Sequence, residues 1–191
     1  MEECASFTFK IIAAGDGGVG KTTMFYKYIH GQFKFDTQFT IGVQIFNKDH
    51  VIENGRIASL QLWDFGGQER FRFFLDNFVL GANGILLLFD LTDQESFEHL
   101  INWLPIVRKY DTTVPMVLVG SKLDLKEDIV INDEDAMKFI ESHGIKHYMK
   151  TSSKTGYNIE EVFDVLLKDI IEYKNLGANE IHASHITPSE L

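Results

Sequence analysis

Apolar positions along the chain come in two forms: short runs bounded by turn residues, and longer stretches at helical spacing. Residues 7–14 read as a strand and residues 23–30 as a helix. Residues 32–42 have no clear period and read as a long loop. Residues 43–52 and 57–64 read as two strands, with Asn54-Gly55 between them favouring a tight hairpin. Residues 65–76 form a Gly-rich loop passing into a helix that stops at Gly81. The runs 84–90 and 116–120 are almost wholly apolar, as strands buried on both faces are. Between them residues 93–110 read as a helix, kinked or broken at Pro105. Asn132 is a good N-cap for a helix running to Ser142, with Gly144 past its end. Residues 146–151 read as the last strand. The last helix starts at Asn158, with Glu161 as capping-box partner. Its apolar face is Ile159, Val162, Phe163, Leu166, Ile170 and Tyr173, and Gly177 is its expected stop.

Strands alternating with helices predict an α/β fold. The expected architecture is a six-stranded, mostly parallel sheet with one antiparallel strand and helices on both faces. Residues 7–177 form the domain, 1–6 an N-terminal extension and 178–191 a loose tail. In such sheets ligands sit at the carboxyl ends of the strands, so the loops after the first, third, fifth and sixth strands should meet at one pocket.

The first of those loops carries the sharpest chemistry. Gly15-Asp16-Gly17-Gly18-Val19-Gly20-Lys21-Thr22 fits G-x-x-x-x-G-K-[ST], the phosphate-binding P-loop. Its glycines let successive backbone N–H groups turn onto phosphate oxygens. Lys21 can reach the β- and γ-phosphates, the Thr22 hydroxyl can ligate Mg²⁺, and the following helix adds its positive N-terminal end. The third strand ends in Asp64, where a carboxylate can hold the hydration shell of Mg²⁺. Gly67 can offer an N–H to a γ-phosphate and Gln68 can orient a water.

Composition narrows the setting. The chain has 191 residues, 45% of them hydrophobic, which suits one folded domain. Its net charge of −10 disfavours a general role on nucleic acid or anionic lipid. Cys4 is the only cysteine, so no internal disulfide forms, consistent with a reducing compartment. No signal peptide and no membrane-spanning apolar run is visible, and the reading is a soluble, cytoplasmic monomer.

Two further segments follow strands and carry polar residues. Gly120-Ser121-Lys122-Leu123-Asp124 follows the fifth strand and Thr151-Ser152-Ser153-Lys154 the sixth. Together with the P-loop and Asp64-Phe65-Gly66-Gly67, these resemble the small GTPases of the Ras superfamily, whose guanine-binding pieces are N-K-x-D and S-A-K. The resemblance covers residues 7–176. It is nearest to Rab-type proteins in Thr40-Ile41-Gly42-Val43, Gln68-Glu69-Arg70-Phe71 and Ser96-Phe97-Glu98, whereas the Gly66-Gly67 pair is similar to Arf-type proteins and heterotrimeric α-subunits.

The resemblance implies a P-loop NTPase G domain binding GTP or GDP with Mg²⁺. Asp16, Gly17, Gly18, Val19, Gly20, Lys21, Thr22 and Thr23 would form the phosphate site, and Thr22, Thr40 and Asp64 the metal site. Phe33 and the stem of Lys122 would flank the base. Asp124 would accept two hydrogen bonds that only guanine offers, with Ser121, Ser152, Ser153 and Lys154 completing that end. Gln68 and Lys21 would be catalytic, and Gly67 would meet the γ-phosphate. The implied role is a GTP-hydrolysing switch in membrane trafficking or signalling. It would engage effectors, exchange proteins and activating proteins through 32–42 and 65–76.

The chain departs from the pattern in places. Ser121 replaces an Asn, which puts affinity in question more than base identity; Ser153 replaces an Ala. No Cys lies near residue 191 and residue 2 is Glu2, so neither a prenyl nor a myristoyl anchor is expected. No Arg occurs in 33–40, so hydrolysis should be slow unaided. Cys4 reads as a plain thiol, and His182 and His185 as solvated residues rather than metal ligands. Phe71, Phe73, Phe74 and Phe78 either pack on the sheet or face a partner. Ser121 also leaves open a nucleotide-binding module with little hydrolysis. A P-loop kinase or ATPase lacks a lid-like Arg cluster to support it.

Overall fold

A computed structural model describes residues 7–34, 40–52, 55–67 and 72–183, with side chains omitted at 72–74, 76 and 175–183. Gln68, Cys4, Asn54 and His185 therefore lie outside the described residues, as do the side chains of Phe71, Phe73, Phe74 and His182. The strands are β1 (Phe7–Ala14), β2 (Val43–Val51), β3 (Ile57–Phe65), β4 (Gly84–Asp90), β5 (Met116–Ser121) and β6 (His147–Lys150). The helices are α1 (Lys21–His30), α2 (Arg72–Val79), α3 (Gln94–Glu98), α4 (Leu100–Val107), α5 (Asp133–His143) and α6 (Ile159–Ala183).

The six strands form one sheet in the order β2-β3-β1-β4-β5-β6. β2 runs antiparallel to β3, and every other pair is parallel. Alternation along the strands divides the core in two. Phe9, Ile11, Ala13, Leu86, Leu88, Val117 and Val119 pack against α1 and α6. Ile12, Ala14, Ile85, Leu87, Phe89 and Leu118 pack against α2, α4 and α5. β4 is buried at every position, as its uniformly apolar sequence requires.

Three helix expectations are corrected. The stretch 93–110 breaks at His99, between α3 and α4, and not at Pro105. Pro105 lies within α4. At His99 the N–H still reaches the Glu95 carbonyl at 2.9 Å, while its own carbonyl takes the Asn102 N–H in a tighter turn. Gly177 does not end α6, which continues to Ala183; a helical glycine costs only about 1 kcal/mol. Asn158 does not cap α6 with its side chain. It adopts φ 55°, and its amide donates instead to the Lys150 carbonyl at 2.9 Å. The predicted caps of α5 hold, with Asn132 accepting from the Asp135 N–H and Gly144 in the left-handed region. Among the described residues no helix is long and apolar enough to cross a membrane.

Candidate functional site

The carboxyl ends of β1, β3, β5 and β6 surround a cavity of about 420 Å³. Its P-loop end is Gly17, Gly18, Gly20, Lys21, Thr22 and Thr23, and Thr40 and Gly67 also line it. Its other end is Phe33, Lys122, Asp124, Ser153 and Lys154. Asp16, Val19, Asp64, Ser121 and Ser152 are not among the residues that line it. Lys34, Phe65 and Leu125 also line the cavity and carried no motif signal in the sequence.

Local backbone geometry accounts for the P-loop glycines. Gly15 has φ 140°, and a Cβ there would lie 2.2 Å from the Leu88 carbonyl oxygen. Gly20 has φ 96° and hands the chain into α1, so that Lys21 and Thr22 fall on the first helical turn. Lys21 is buried, and its ammonium donates to the Gly15 and Asp16 carbonyls at 2.7 and 2.6 Å. Those bonds compensate its burial and aim the ammonium along the loop. Asp16 gives its backbone carbonyl to Lys21 and turns its side chain elsewhere. Its carboxylate turns to the break between α3 and α4, where Trp103 Nε1 donates to Oδ1 at 2.8 Å and His99 Nδ1 to Oδ2 at 2.6 Å.

Thr22, Thr40 and Asp64 come together. The two hydroxyls are 2.8 Å apart and reach Asp64 Oδ2 at 2.5 and 3.1 Å. Asp64 is fully buried, and its Oδ1 has no hydrogen-bond partner among the described residues. Burial pushes its carboxyl above the usual range, against the Thr22 hydrogen bond, the Lys21 charge and the Thr40 hydrogen bond. Two hydroxyls and a carboxylate are the hard oxygen donors that Mg²⁺ takes. A cation here would also satisfy the orphaned Oδ1, so these residues fit the metal.

Gly66 and Gly67 are explained by close approach. A Cβ on Gly66 would lie 2.5 Å from the Thr40 carbonyl oxygen, and the Gly66 N–H already donates to Gly42 at 2.8 Å. A Cβ on Gly67 would lie 2.2 Å from both the Asp16 carbonyl carbon and the Gly17 nitrogen. The loop after β3 is thus pressed between the Thr40 segment and the P-loop. Phe78 packs near Trp63 and Phe65, with centroids 6.0 and 6.5 Å away, and still exposes 37% of its surface. Phe78 therefore packs on the sheet and is partly exposed.

At the base end, Ser152 Oγ donates to Asp124 Oδ1 at 2.6 Å, and Lys154 Nζ stands 4.0 Å from Oδ2. The loop carrying Ser152 is pinned by bonds from Thr151 to Gly120, Leu123 to Thr151, and Ser152 to Tyr157. Lys122 has φ 61°, and its ammonium pairs with Asp90 at 2.6 Å. Asp90 was missed in the sequence, although it ends an apolar strand as Asp64 does. Its other oxygen accepts from the Thr92 N–H and hydroxyl, at 2.9 and 2.8 Å. Ser121 is buried, with its hydroxyl 2.6 Å from the Val19 carbonyl and 2.9 Å from that of Phe89. The hydroxyl thus ties the end of β5 to the P-loop.

The sequence comparisons agree with this geometry. The Ras family model matches residues 10–172. The chain is 33% identical to Ras-related protein RABA4a of Arabidopsis thaliana, over 91% of this chain and 78% of that protein. It is 38% identical to Ras-related protein Rab-27A of Canis lupus familiaris, over 87% and 80%. Against Ras-related protein RabG2 of Dictyostelium discoideum it is 36% identical, over 95% and 86%. A cavity lined at both ends by these motifs, together with a family match across the domain, leads to one conclusion: this chain belongs to the Ras family, as a Rab-type small GTPase.

Proposed function

We propose that the protein binds GTP and GDP with Mg²⁺, hydrolyses GTP to GDP and phosphate, and uses the two states as a switch in membrane trafficking. The observation that carries this reading is the placement of Thr22, Thr40 and Asp64 at one end of a single cavity and Asp124 at the other. The first group is chemistry for a metal-bound triphosphate, and the second is chemistry for guanine.

Lys21 holds the β- and γ-phosphates, and the P-loop N–H groups take the remaining oxygens. Mg²⁺, when bound, neutralises charge developing on those phosphates. Asp124, kept in place by Ser152, accepts from guanine N1–H and the exocyclic amine. Against adenine that carboxylate would be left without its donors, which is where the selectivity arises. Gln68 orients the attacking water, and Gly67 senses the γ-phosphate while resting on Asp16 and Gly17. Loss of that phosphate releases Gly67 and Thr40 together, so segments 32–42 and 65–76 report nucleotide state to effectors. Without an arginine in 33–40, hydrolysis is slow until an activating protein supplies one.

Chromatography of the nucleotide released on denaturing the purified protein tests the first part; guanine nucleotide is expected, and adenine nucleotide alone would overturn it. Single-turnover hydrolysis of GTP tests the second. Gln68→Leu is expected to abolish stimulated turnover while keeping GTP bound, and undiminished turnover would move the role to another residue.

A further inference from the structure

Asp16 stands where three parts of the phosphate site meet. Its carboxylate accepts from Trp103 Nε1 at 2.8 Å and from His99 Nδ1 at 2.6 Å. A carboxylate can only accept, so the proton lies on His99 Nδ1. Its backbone carbonyl oxygen takes the Lys21 ammonium at 2.6 Å. Its carbonyl carbon and the next nitrogen are the surface against which Gly67 is packed too closely for any side chain. One peptide unit therefore carries both the catalytic lysine and the glycine that senses the γ-phosphate, and its side chain is held from outside the nucleotide site.

The holder is well built for this. Trp103 is fully buried in the core between the sheet and α4, so its indole N–H cannot follow a moving loop. His99 sits at the break between α3 and α4, one helical turn before Trp103, which puts both donors on one side. Its other nitrogen lies 3.7 Å from Glu95.

We propose that His99 and Trp103 are positioning residues for the nucleotide site, acting through Asp16 to hold the Asp16–Gly17 peptide beneath Lys21 and Gly67. The proposal rests on the GTP-binding reading above. Neither residue touches the nucleotide. Their loss lets the Asp16–Gly17 peptide tilt, which misplaces the Lys21 ammonium on the phosphates and loosens the seat of Gly67. Retention of GDP should suffer through Lys21, and preference for a GTP analogue over GDP through Gly67. A residue that only packs α3 against α4 would affect neither.

The test uses the full chain loaded with Mg²⁺ and a fluorescent GDP analogue. Release is measured by stopped flow for the unmodified protein, His99→Ala and His99→Asn. The same samples, labelled with ¹⁵N, give the indole N–H resonance of Trp103, one of two tryptophans in the chain. We expect His99→Ala to release GDP about tenfold faster, the weight of one charge-assisted hydrogen bond. The Trp103 indole resonance should shift with it. His99→Asn, whose amide can still donate to Asp16, should restore both to within about twofold. Unchanged release from His99→Ala, equal acceleration in the Asn variant, or an unmoved indole resonance each overturns the proposal. If His99→Ala fails to fold, Trp103→Phe keeps a buried ring and deletes only the N–H donor. It should then show the same acceleration, and release at the unmodified rate overturns the proposal. An unmodified chain that takes up no GDP overturns the GTP-binding reading itself, and that is seen before any variant is compared.

Discussion

The Ser121 hydroxyl lies 2.6 Å from the Val19 carbonyl oxygen, joining the end of β5 to the P-loop across the floor of the nucleotide site. A second carbonyl, that of Phe89, is 2.9 Å away. The hydroxyl thus sits between two acceptors in a buried position next to Gly20. The bridge that a longer amide side chain would make is already made by a shorter one. Ser121→Ala should therefore speed GDP release two- to tenfold, the worth of about 0.5–1.5 kcal/mol. Ser121→Asn should change it by less than about threefold, because its gain toward the base is offset by crowding beside Gly20. Stopped-flow release of a fluorescent GDP analogue measures both, and a large gain in retention from Asn would show that the serine leaves the site incomplete.

Asp124 should decide the base. Asp124→Asn is expected to weaken GTP at least about tenfold, since two bonds to a charged acceptor are lost, and to improve binding of xanthine nucleotide. Ser152→Ala should keep the guanine preference while loosening all guanine nucleotides by a smaller factor, because Ser152 only aims the carboxylate. Competition among GTP, ATP and XTP reads both variants. ATP competing as well as GTP in the unmodified protein would remove Asp124 from this role.

Chelating Mg²⁺ should accelerate GDP release. Coupling between two ligands is typically 1–3 kcal/mol, or about 5- to 150-fold. In Asp64→Asn that dependence should largely vanish, with release fast whether or not Mg²⁺ is present. The orphaned Oδ1 and the two hydroxyls on Oδ2 give the reason: the charge on this buried carboxylate is what a cation would satisfy. A variant that keeps the full Mg²⁺ dependence would place the metal elsewhere.

Gly67→Ala should separate the two nucleotide states. The new methyl would meet Asp16 and Gly17 backbone atoms at 2.2 Å, and a P-loop anchored by His99 and Trp103 cannot yield that far. The loop after β3 must then lift away. Affinity for a non-hydrolysable GTP analogue should fall at least about tenfold while GDP binding changes little, as titration of each would show. Equal loss of both would mean that the clash distorts the P-loop itself.

Much of the site was legible in the sequence because its chemistry is local. The P-loop glycines, Lys21 and Thr22 act through backbone turns and one helix start, so adjacent residues specify them. Asp64 could be read because it ends an apolar strand after a P-loop, and Asp124 and Ser152 because their segments resemble the guanine-binding motifs; parallel strands deliver their carboxyl ends to one edge. The hairpin and the buried strands followed from period and turn residues alone. What only the tertiary structure decided involves partners distant along the chain. Asp16 turns from the phosphates because His99 and Trp103, 83 and 87 residues away, meet it there. Pro105 is the stronger local breaker, yet the helix breaks at His99, where the turn brings these donors to Asp16. Ser121 reaches its carbonyl because β5 packs beside the P-loop, at a separation of 102 residues. Lys122 finds Asp90 only because β4 and β5 are neighbours. Local backbone preference fixes which residues can turn, cap or bind, while the direction of a polar side chain is set by whichever donor or acceptor packing brings within about 3 Å.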